Sequence, residues 1–319
     1  MQQAEKKNPL IDEHGRLIHK LRLQLTDTCN FRCFYCMPRQ FKFLPSSQLL
    51  KANEFIEICS ALVGLGIDEI RISGGEPTLR ADLKEIVRGL SNLPVERLGI
   101  TTNGYFLADK IAFLSQTKCR NINISLDSLN KKRFRMITKS DSFDTVYRAI
   151  LKAKEKGLRV KVNVVALRGL NDDEVFDYID FSAKHKIEVR FLELMKIGPC
   201  CCKHNGLFVP AQELIQRIEE REELIPQSVN NDSTAFNFKT SSGGKIGFIA
   251  SESQPFCNFC SRLRLSATGG LRACLMSDAG ISLRGRNKSE YPAILRSVIA
   301  MKPVERIEYI RQPMYQIGG

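Results

Sequence analysis

Six short β-type runs, each followed by a stretch of helical periodicity or a loop, fill residues 21–194, and this alternation restricts the fold more than any other feature. The runs are LRLQL (21–25), EIRIS (69–73), RLGITT (97–102), NINISLD (121–127), RVKVNVVAL (159–167) and EVRFLEL (188–194). Helical stretches fall around 53–64, 81–91, 107–117, 143–156 and 173–185. Strands separated in this way pair parallel, because a parallel connection needs a crossover of a dozen or more residues. Periodicity alone allows an open sheet or six units curled into an incomplete barrel. The strand ends favour the barrel: Cys29, Ser73-Gly74-Gly75-Glu76, Thr101-Thr102-Asn103, Ser125 with Asp127, Asn163 and Glu193 all stand where a strand finishes. Barrel enzymes build their sites from strand C-termini and the loops that follow them.

Past about residue 197 the pattern changes. A helix at 210–219 leads to strands at 235–241, 245–251 and 262–267, expected to be antiparallel, then to a helix near 291–302 and a polar tail. Segment 225–244, rich in Asn, Ser, Thr and Gly, reads as loop with a hairpin. The expected architecture is α/β: an incomplete (β/α)6 TIM-type barrel over residues 1–196 with a smaller α+β extension over 197–319. At 319 residues and 43% hydrophobic content the chain is long enough for both.

No apolar run long enough for a transmembrane helix is present, and the N-terminal MQQAEKKNPLIDEHGR lacks an apolar signal core. A cytoplasmic protein is therefore expected. In that compartment the eleven cysteines read as thiols or metal ligands rather than disulfides. A net charge of +13 suits a nucleic acid or a phosphorylated small molecule, but equally a set of solvated faces. With no dense Lys/Arg block, charge alone decides nothing.

The cysteines are more informative. Cys29, Cys33 and Cys36 stand at CxxxCxxC spacing directly after the first strand, and Cys257, Cys260 and Cys274 form a second set of three. Thiolates suit zinc and iron–sulfur clusters alike. Structural zinc is closed by four ligands; the nearest histidines to the first set are His14 and His19, and His204 is a candidate fourth ligand for the second. A four-iron cube held by three cysteines keeps one iron open for another ligand. Arg262 and Arg264 follow Cys260 at a spacing of two, so they share one face of a strand, where paired guanidiniums suit an anion. Arg22, Arg71, Lys161 and Arg190 lie on barrel strands, where parallel strands ordinarily carry near-continuous hydrophobic runs. Buried cations need partners, and an external triphosphate is one candidate.

The loop CxxxCxFYC with its companion SGGEP at 73–77 resembles the radical S-adenosylmethionine superfamily. The resemblance implies that the open iron of the first cluster chelates the methionine part of S-adenosylmethionine, and that one electron then releases a 5′-deoxyadenosyl radical. It further implies that the backbone of Tyr35 meets the adenine and that Gly74-Gly75-Glu76 cradles the methionine amino group. A wider set is similar to the GTP 3′,8-cyclase family of molybdenum cofactor biosynthesis: HGRLIHKLRLQLTDTCNFRCFYCMP, RISGGEP, TTNG, RNINISLDSL, KVNVV, NDDE, VRFLELM, FCNFCSRLRLS and the terminal IGG. It covers nearly the whole chain in order.

That similarity implies two [4Fe–4S] clusters, on Cys29, Cys33 and Cys36 and on Cys257, Cys260 and Cys274. Tyr35, Gly75, Ser125 and Met195 correspond to positions around S-adenosylmethionine. Arg22, Arg71, Thr101, Lys161, Arg262, Leu263 and Arg264 correspond to GTP-binding positions, with Arg190 joining at the triphosphate. Gly318 and Gly319 correspond to a tail that enters the active site and supports catalysis. The implied reaction removes hydrogen from C3′ of GTP and joins that carbon to C8. The implied partners are a flavodoxin- or ferredoxin-type electron donor and a downstream cyclic pyranopterin synthase. Neither a membrane nor a nucleic acid is implied, and a homodimer is compatible. The alternative is a divergent radical enzyme acting on a peptide or RNA. Several positions depart from the family pattern: Cys200-Cys201-Cys202 has no shared role, Thr28 stands where Arg is usual and Ser73 where Thr is common. Cys59 and Cys119 read as packing residues.

Overall fold

The computed structural model describes residues 9–198 and 204–318; Cys200, Cys201, Cys202 and Gly319 lie outside the described residues. All six expected barrel strands form: β1 (Lys20–Gln24), β2 (Glu69–Ser73), β3 (Arg97–Thr102), β4 (Cys119–Ser125), β5 (Arg159–Val165) and β6 (Glu188–Leu192). They pair parallel in that order. Between them run α1 (Ala52–Gly64), α2 (Leu83–Ser91), α3 (Ile111–Ser115), α4 (Lys131–Thr138), α5 (Phe143–Glu155) and α6 (Val175–His185). The helix α4 was not expected. Its charged sequence KKRFRMIT hides its periodicity, yet Asn130 caps it by accepting from the amides of Lys132 and Arg133.

The extension does not stand beside the barrel; its strands lengthen the barrel sheet at both edges. The remaining elements are α7 (His204–Leu207), α8 (Ala211–Glu219), β7 (Leu224–Gln227), β8 (Phe236–Thr240), β9 (Lys245–Ile249), β10 (Arg262–Leu265), β11 (Gly270–Arg272), β12 (Gly280–Ser282), α9 (Tyr291–Ala300) and α10 (Met314–Ile317). The sheet runs β12-β11-β10-β1-β2-β3-β4-β5-β6-β9-β8-β7. This corrects the antiparallel expectation for 245–251 and 262–267: β9 pairs parallel with β6 and β10 parallel with β1, and only their outer neighbours are antiparallel. A strand's own alternation records which face is apolar but not the direction of its neighbour.

Along every barrel strand one parity is apolar and buried under the helices, as with Leu21, Leu23, Ile70, Ile72, Ile122, Ile124, Val162 and Val189. The other parity carries Arg22, Arg71, Thr101, Asn123, Lys161 and Arg190. Arg71 on β2 lies close enough to Arg190 on β6 for their charges to repel, although three strands separate them along the sheet. Only a sheet curled into a barrel brings them together, and the charged parity therefore faces a lumen. Ordinary barrels of this type fill that space with branched apolar side chains. The outer face follows the hydrophobic rule; the inner face does not. Among the described residues no helix is long and apolar enough to cross a membrane.

Candidate functional site

The first thiol loop is held on three sides. The chain leaving β1 runs beside the turn after β2, where the Gly75 amide donates to the Thr26 carbonyl at 2.7 Å and the Glu76 amide to that of Thr28 at 2.8 Å. A Cβ on Gly75 would overlap the carbonyl oxygens of Asp27 and Thr28, so only glycine permits this approach. The Arg32 and Phe34 amides donate to the carbonyls of Thr138 and Ile137 at the end of α4, at 2.9 and 3.2 Å. Tyr35 donates its hydroxyl to Asp127 at 2.6 Å, and Asp127 accepts the Val165 amide at 2.9 Å. That carboxyl is buried at the end of β4, which pushes its pKa up to about 6.

Glu76 corrects one expectation. It is fully buried, and its carboxylate accepts from the Thr78 amide and hydroxyl, the Thr102 hydroxyl and the Asn103 amide. It therefore ties β2 to β3 and is not free to receive a ligand's ammonium. Glu193 is occupied in the same way, accepting from the amides of Ala211, Glu252 and Ser253.

Burial pushes the Cys29 thiol up to about 11, with the nearby Glu76 charge adding to it. Burial raises Cys33 well above its ordinary value, helped by Asp127, Cys36 and Cys29. Such thiols ionise only when a metal's positive charge is present. In the second set, Cys257 lies in a short turn, Cys260 stands two residues before β10, and Cys274 follows β11. Burial alone would raise Cys260, but the charges of Arg262 and Lys302 outweigh it and hold the thiol at about 6. None of these six cysteines is in a disulfide.

The donor set fits two three-thiolate clusters better than zinc. His19 is sandwiched between Asp68 and Asp232 at 2.6 and 2.7 Å, and His204 faces the Leu194 carbonyl at 2.7 Å. Among the described residues no group of three His, Cys, Asp or Glu side chains is placed to hold a single ion.

The lumen below the thiols is strongly basic. Arg22 is desolvated and surrounded by Arg71, Arg262 and Arg264, which together drive its pKa well below the ordinary guanidinium value. Register places Arg22 directly between Arg71 and Arg264. Arg71 Nη1 and Asn163 Oδ1 are buried without a hydrogen-bond partner. Gly99 makes room for the Arg71 guanidinium: a Cβ there would lie 3.1 Å from both terminal nitrogens. The cations are not all unpartnered, however. Glu188 accepts from Lys161 at 2.7 and 2.9 Å and from Arg190 at 2.6 Å, so two of the four strand cations already hold an internal anion.

The other expected site residues are placed as follows. Thr101 faces Asn123 across β3 and β4, and Ser125 faces Asn163 across β4 and β5. Leu263 is fully buried on the apolar side of β10, opposite Leu21, so only its backbone lies between the two arginines. Met195 packs against a cluster of Ile197, Met276, Ile310 and Ile317, which Cys274 also borders. The tail enters the barrel: the Gly318 carbonyl accepts from Arg264 at 2.9 Å, and the Tyr315 carbonyl from Gln24 at 3.1 Å. Gly318 has φ +70°, and a Cβ there would stand 2.8 Å from that of Gln24. Beneath it a small pocket is lined by Arg22, Gln24, Arg264, Ser266, Arg272 and Gly318. Sequence reasoning missed Glu188, Arg272 and Lys302. The first carried a signal, since Glu188 stands one strand period from Arg190.

The Radical SAM superfamily matches residues 23–182, and Molybdenum Cofactor Synthesis C matches residues 187–307. The chain is 44% identical over 310 residues to the GTP 3′,8-cyclase of Synechocystis sp., covering 97% of this chain and 95% of that one. It is 37% identical to the GTP 3′,8-cyclase of Aquifex aeolicus, covering 97% and 100%. In fold it is similar to Streptococcus suis SuiB bound to S-adenosylmethionine, with TM-score 0.65, 14% identity, and coverage of 88% of this chain and 67% of that one. A half-buried three-thiol loop on a curled parallel sheet, a second three-thiol set at its edge and full-length similarity of this degree agree: the chain belongs to the GTP 3′,8-cyclase family of radical SAM enzymes.

Proposed function

We propose that this chain converts GTP to (8S)-3′,8-cyclo-7,8-dihydroguanosine 5′-triphosphate, the first step of molybdenum cofactor biosynthesis. The observation that carries the reading is the basic lumen between the two thiol sets, with buried Arg71 and Asn163 atoms lacking partners. The chain's cofactors are two [4Fe–4S] clusters and S-adenosylmethionine. When bound, the first cluster and S-adenosylmethionine supply the 5′-deoxyadenosyl radical that takes the C3′ hydrogen of GTP. Cys29, Cys33 and Cys36 would hold that cluster, and Cys257, Cys260 and Cys274 would hold the second, which would supply a binding point for the substrate.

Tyr35 and Asp127 anchor the thiol loop, so the reacting atoms keep their separation. Tyr35, Gly75, Ser125 and Met195 surround S-adenosylmethionine. Because the Glu76 carboxylate is occupied, the amino group meets backbone carbonyls of this turn. Arg22, Arg71, Thr101, Lys161, Arg190, Arg262 and Arg264 hold GTP, with the backbone of Leu263 between the last two. Gly318 closes the chamber and excludes water, and Gly319 supports catalysis with it. Residues 1–196 form the S-adenosylmethionine unit and 197–319 the auxiliary-cluster unit.

Electrons come from a flavodoxin- or ferredoxin-type donor. The exposed Arg39, Lys42, Lys132 and Lys139 beside the first loop, with exposed Phe41 and Met136, suit an acidic protein. The enzyme works in the cytoplasm, passes product to a cyclic pyranopterin synthase and is compatible with a homodimer. Anaerobic reconstitution followed by iron and sulfide counting, with cofactor cleavage assayed with and without GTP, tests the assignment. GTP-dependent cleavage with two clusters per chain supports it; cleavage indifferent to GTP sinks it.

A further inference from the structure

Lys302 is among the few lysines this protein buries, with 4% of its surface exposed, and neither the chemistry of GTP nor that of S-adenosylmethionine calls for it. It follows α9, and its side chain turns inward beneath the second thiol set. The ammonium donates to the Arg262 carbonyl at 2.7 Å and to the Ala273 carbonyl at 3.0 Å. Those carbonyls belong to the two chain segments that carry the set: Arg262 is two residues past Cys260, and Ala273 immediately precedes Cys274. Burial lowers the Lys302 pKa, and the hydrogen bond to Cys260 with the charges of Cys260 and Cys274 works against that burial.

The backbone at Lys302 is fixed in turn. Arg16, itself buried, donates to the carbonyls of Cys257 at 3.0 Å, Pro303 at 2.8 Å and Lys302 at 3.2 Å. Its Nε meets Asp12 at 2.6 Å. One arginine from the N-terminal segment thus joins the Cys257 turn to the Lys302 turn, and Lys302 joins the other two thiol segments. Burying an ammonium is costly unless partners are nearby, and two neutral carbonyls are weak compensation for a full charge. A negatively charged group beside it is the missing compensation, and a cluster held by three thiolates is such a group.

We propose that Lys302 is a positioning residue for the second cluster, pinning the segments of Cys260 and Cys274 at their working separation and laying a positive charge against it. A positive charge favours the more negative, reduced state, so it raises the cluster's reduction potential. At the first set, by contrast, the charges near Cys29 are of both signs, Glu76 and Arg32, and Asp127 lies near Cys33.

The proposal rests on the reading that the second thiol set holds a cluster, and the test separates the two. The full chain with Cys29, Cys33 and Cys36 replaced by serine is reconstituted anaerobically, and iron content and a redox titration followed by electron paramagnetic resonance report on the second cluster alone. If that parent binds no cluster, the reading fails and the proposal with it. Given a loaded parent, Lys302→Met is expected to shift the reduction equilibrium at least tenfold toward the oxidised state, a fall of about 59 mV for one electron. Lys302→Arg, which keeps the charge, is expected to stay near the parent. Should Lys302→Met fail to load while Lys302→Arg loads with the parent's potential, the proposal also stands. It is overturned if Lys302→Met matches the parent in iron and potential, or if the two variants are altered alike.

Discussion

Glu188 is the sharpest place to perturb the lumen. One carboxylate holds Lys161 at 2.7 and 2.9 Å and Arg190 at 2.6 Å, on adjacent strands. Two unit charges about 4 Å apart attract by about 4 kcal/mol at an effective dielectric near 20. Desolvation of all three groups offsets much of this, and stripping one partner from a buried pair costs about 3–5 kcal/mol. Exposures of 18% for Glu188, 16% for Arg190 and 33% for Lys161 place the case at or below the low end of that range. Glu188→Gln should therefore destabilise the GTP-free protein by about 2–3 kcal/mol, seen in scanning calorimetry as a melting temperature lower by about 3–5 °C. The same change frees two cations for a triphosphate, so anaerobic titration calorimetry should show GTP binding about tenfold tighter, or about 1.4 kcal/mol.

The pH dependence has a definite sign. Despite burial, which raises it, the Glu188 pKa is lowered by Arg190 and Lys161 from the ordinary 4.5. The stability it contributes is thus present above that value and lost as pH falls through the lowered pKa, and Glu188→Gln should remove this acid loss. Unchanged apo stability together with unchanged or weaker GTP binding would refute the picture of Glu188 as a stand-in anion.

Three further outcomes follow from the same geometry. Gly75→Ala drives a methyl into the Asp27 and Thr28 carbonyls; it should cost about 1–3 kcal/mol and halve the iron per chain by removing only the first cluster. Deleting Gly318 and Gly319 should abolish cyclisation while iron and sulfide stay at the full count, because the contacts of Gly318 are with Arg264, Ser73 and Gln24. Charge reversal at Arg39, Lys42, Lys132 and Lys139 should slow reduction by flavodoxin about tenfold or more at low salt, leave reduction by dithionite unaltered and weaken the salt dependence; equal slowing by both reductants would count against a docking face.

The outer half of the barrel was legible because apolar residues recur at every second position, and that pattern alone recovered β1 to β6 in order. What stayed hidden were relations between distant residues. Nothing in RLRL or KIGFI tells a strand that its inner neighbour runs parallel, so β9 and β10 were assigned to a separate antiparallel unit although they complete the barrel wall. The thiols and arginines were found because their spacing is unusual within a short stretch. Lys302 is a single charged residue whose partners lie across turns, and only folding reveals it; Glu188 showed its Arg190 partner in the strand period but not Lys161 on the neighbouring strand. Glu76 shows the converse: a motif carboxylate that looked ready for a ligand turned out to be spent on Thr78, Thr102 and Asn103.

The central claim is that the chamber between the two thiol sets holds GTP with its C3′ hydrogen facing the adenosyl radical. Reconstituted protein, given S-adenosylmethionine, a low-potential reductant and GTP deuterated at C3′, measures this directly by mass spectrometry. The account requires 5′-deoxyadenosine carrying one deuterium, formed together with the 3′,8-cyclised triphosphate. Unlabelled 5′-deoxyadenosine, produced at the same rate without GTP, would contradict it.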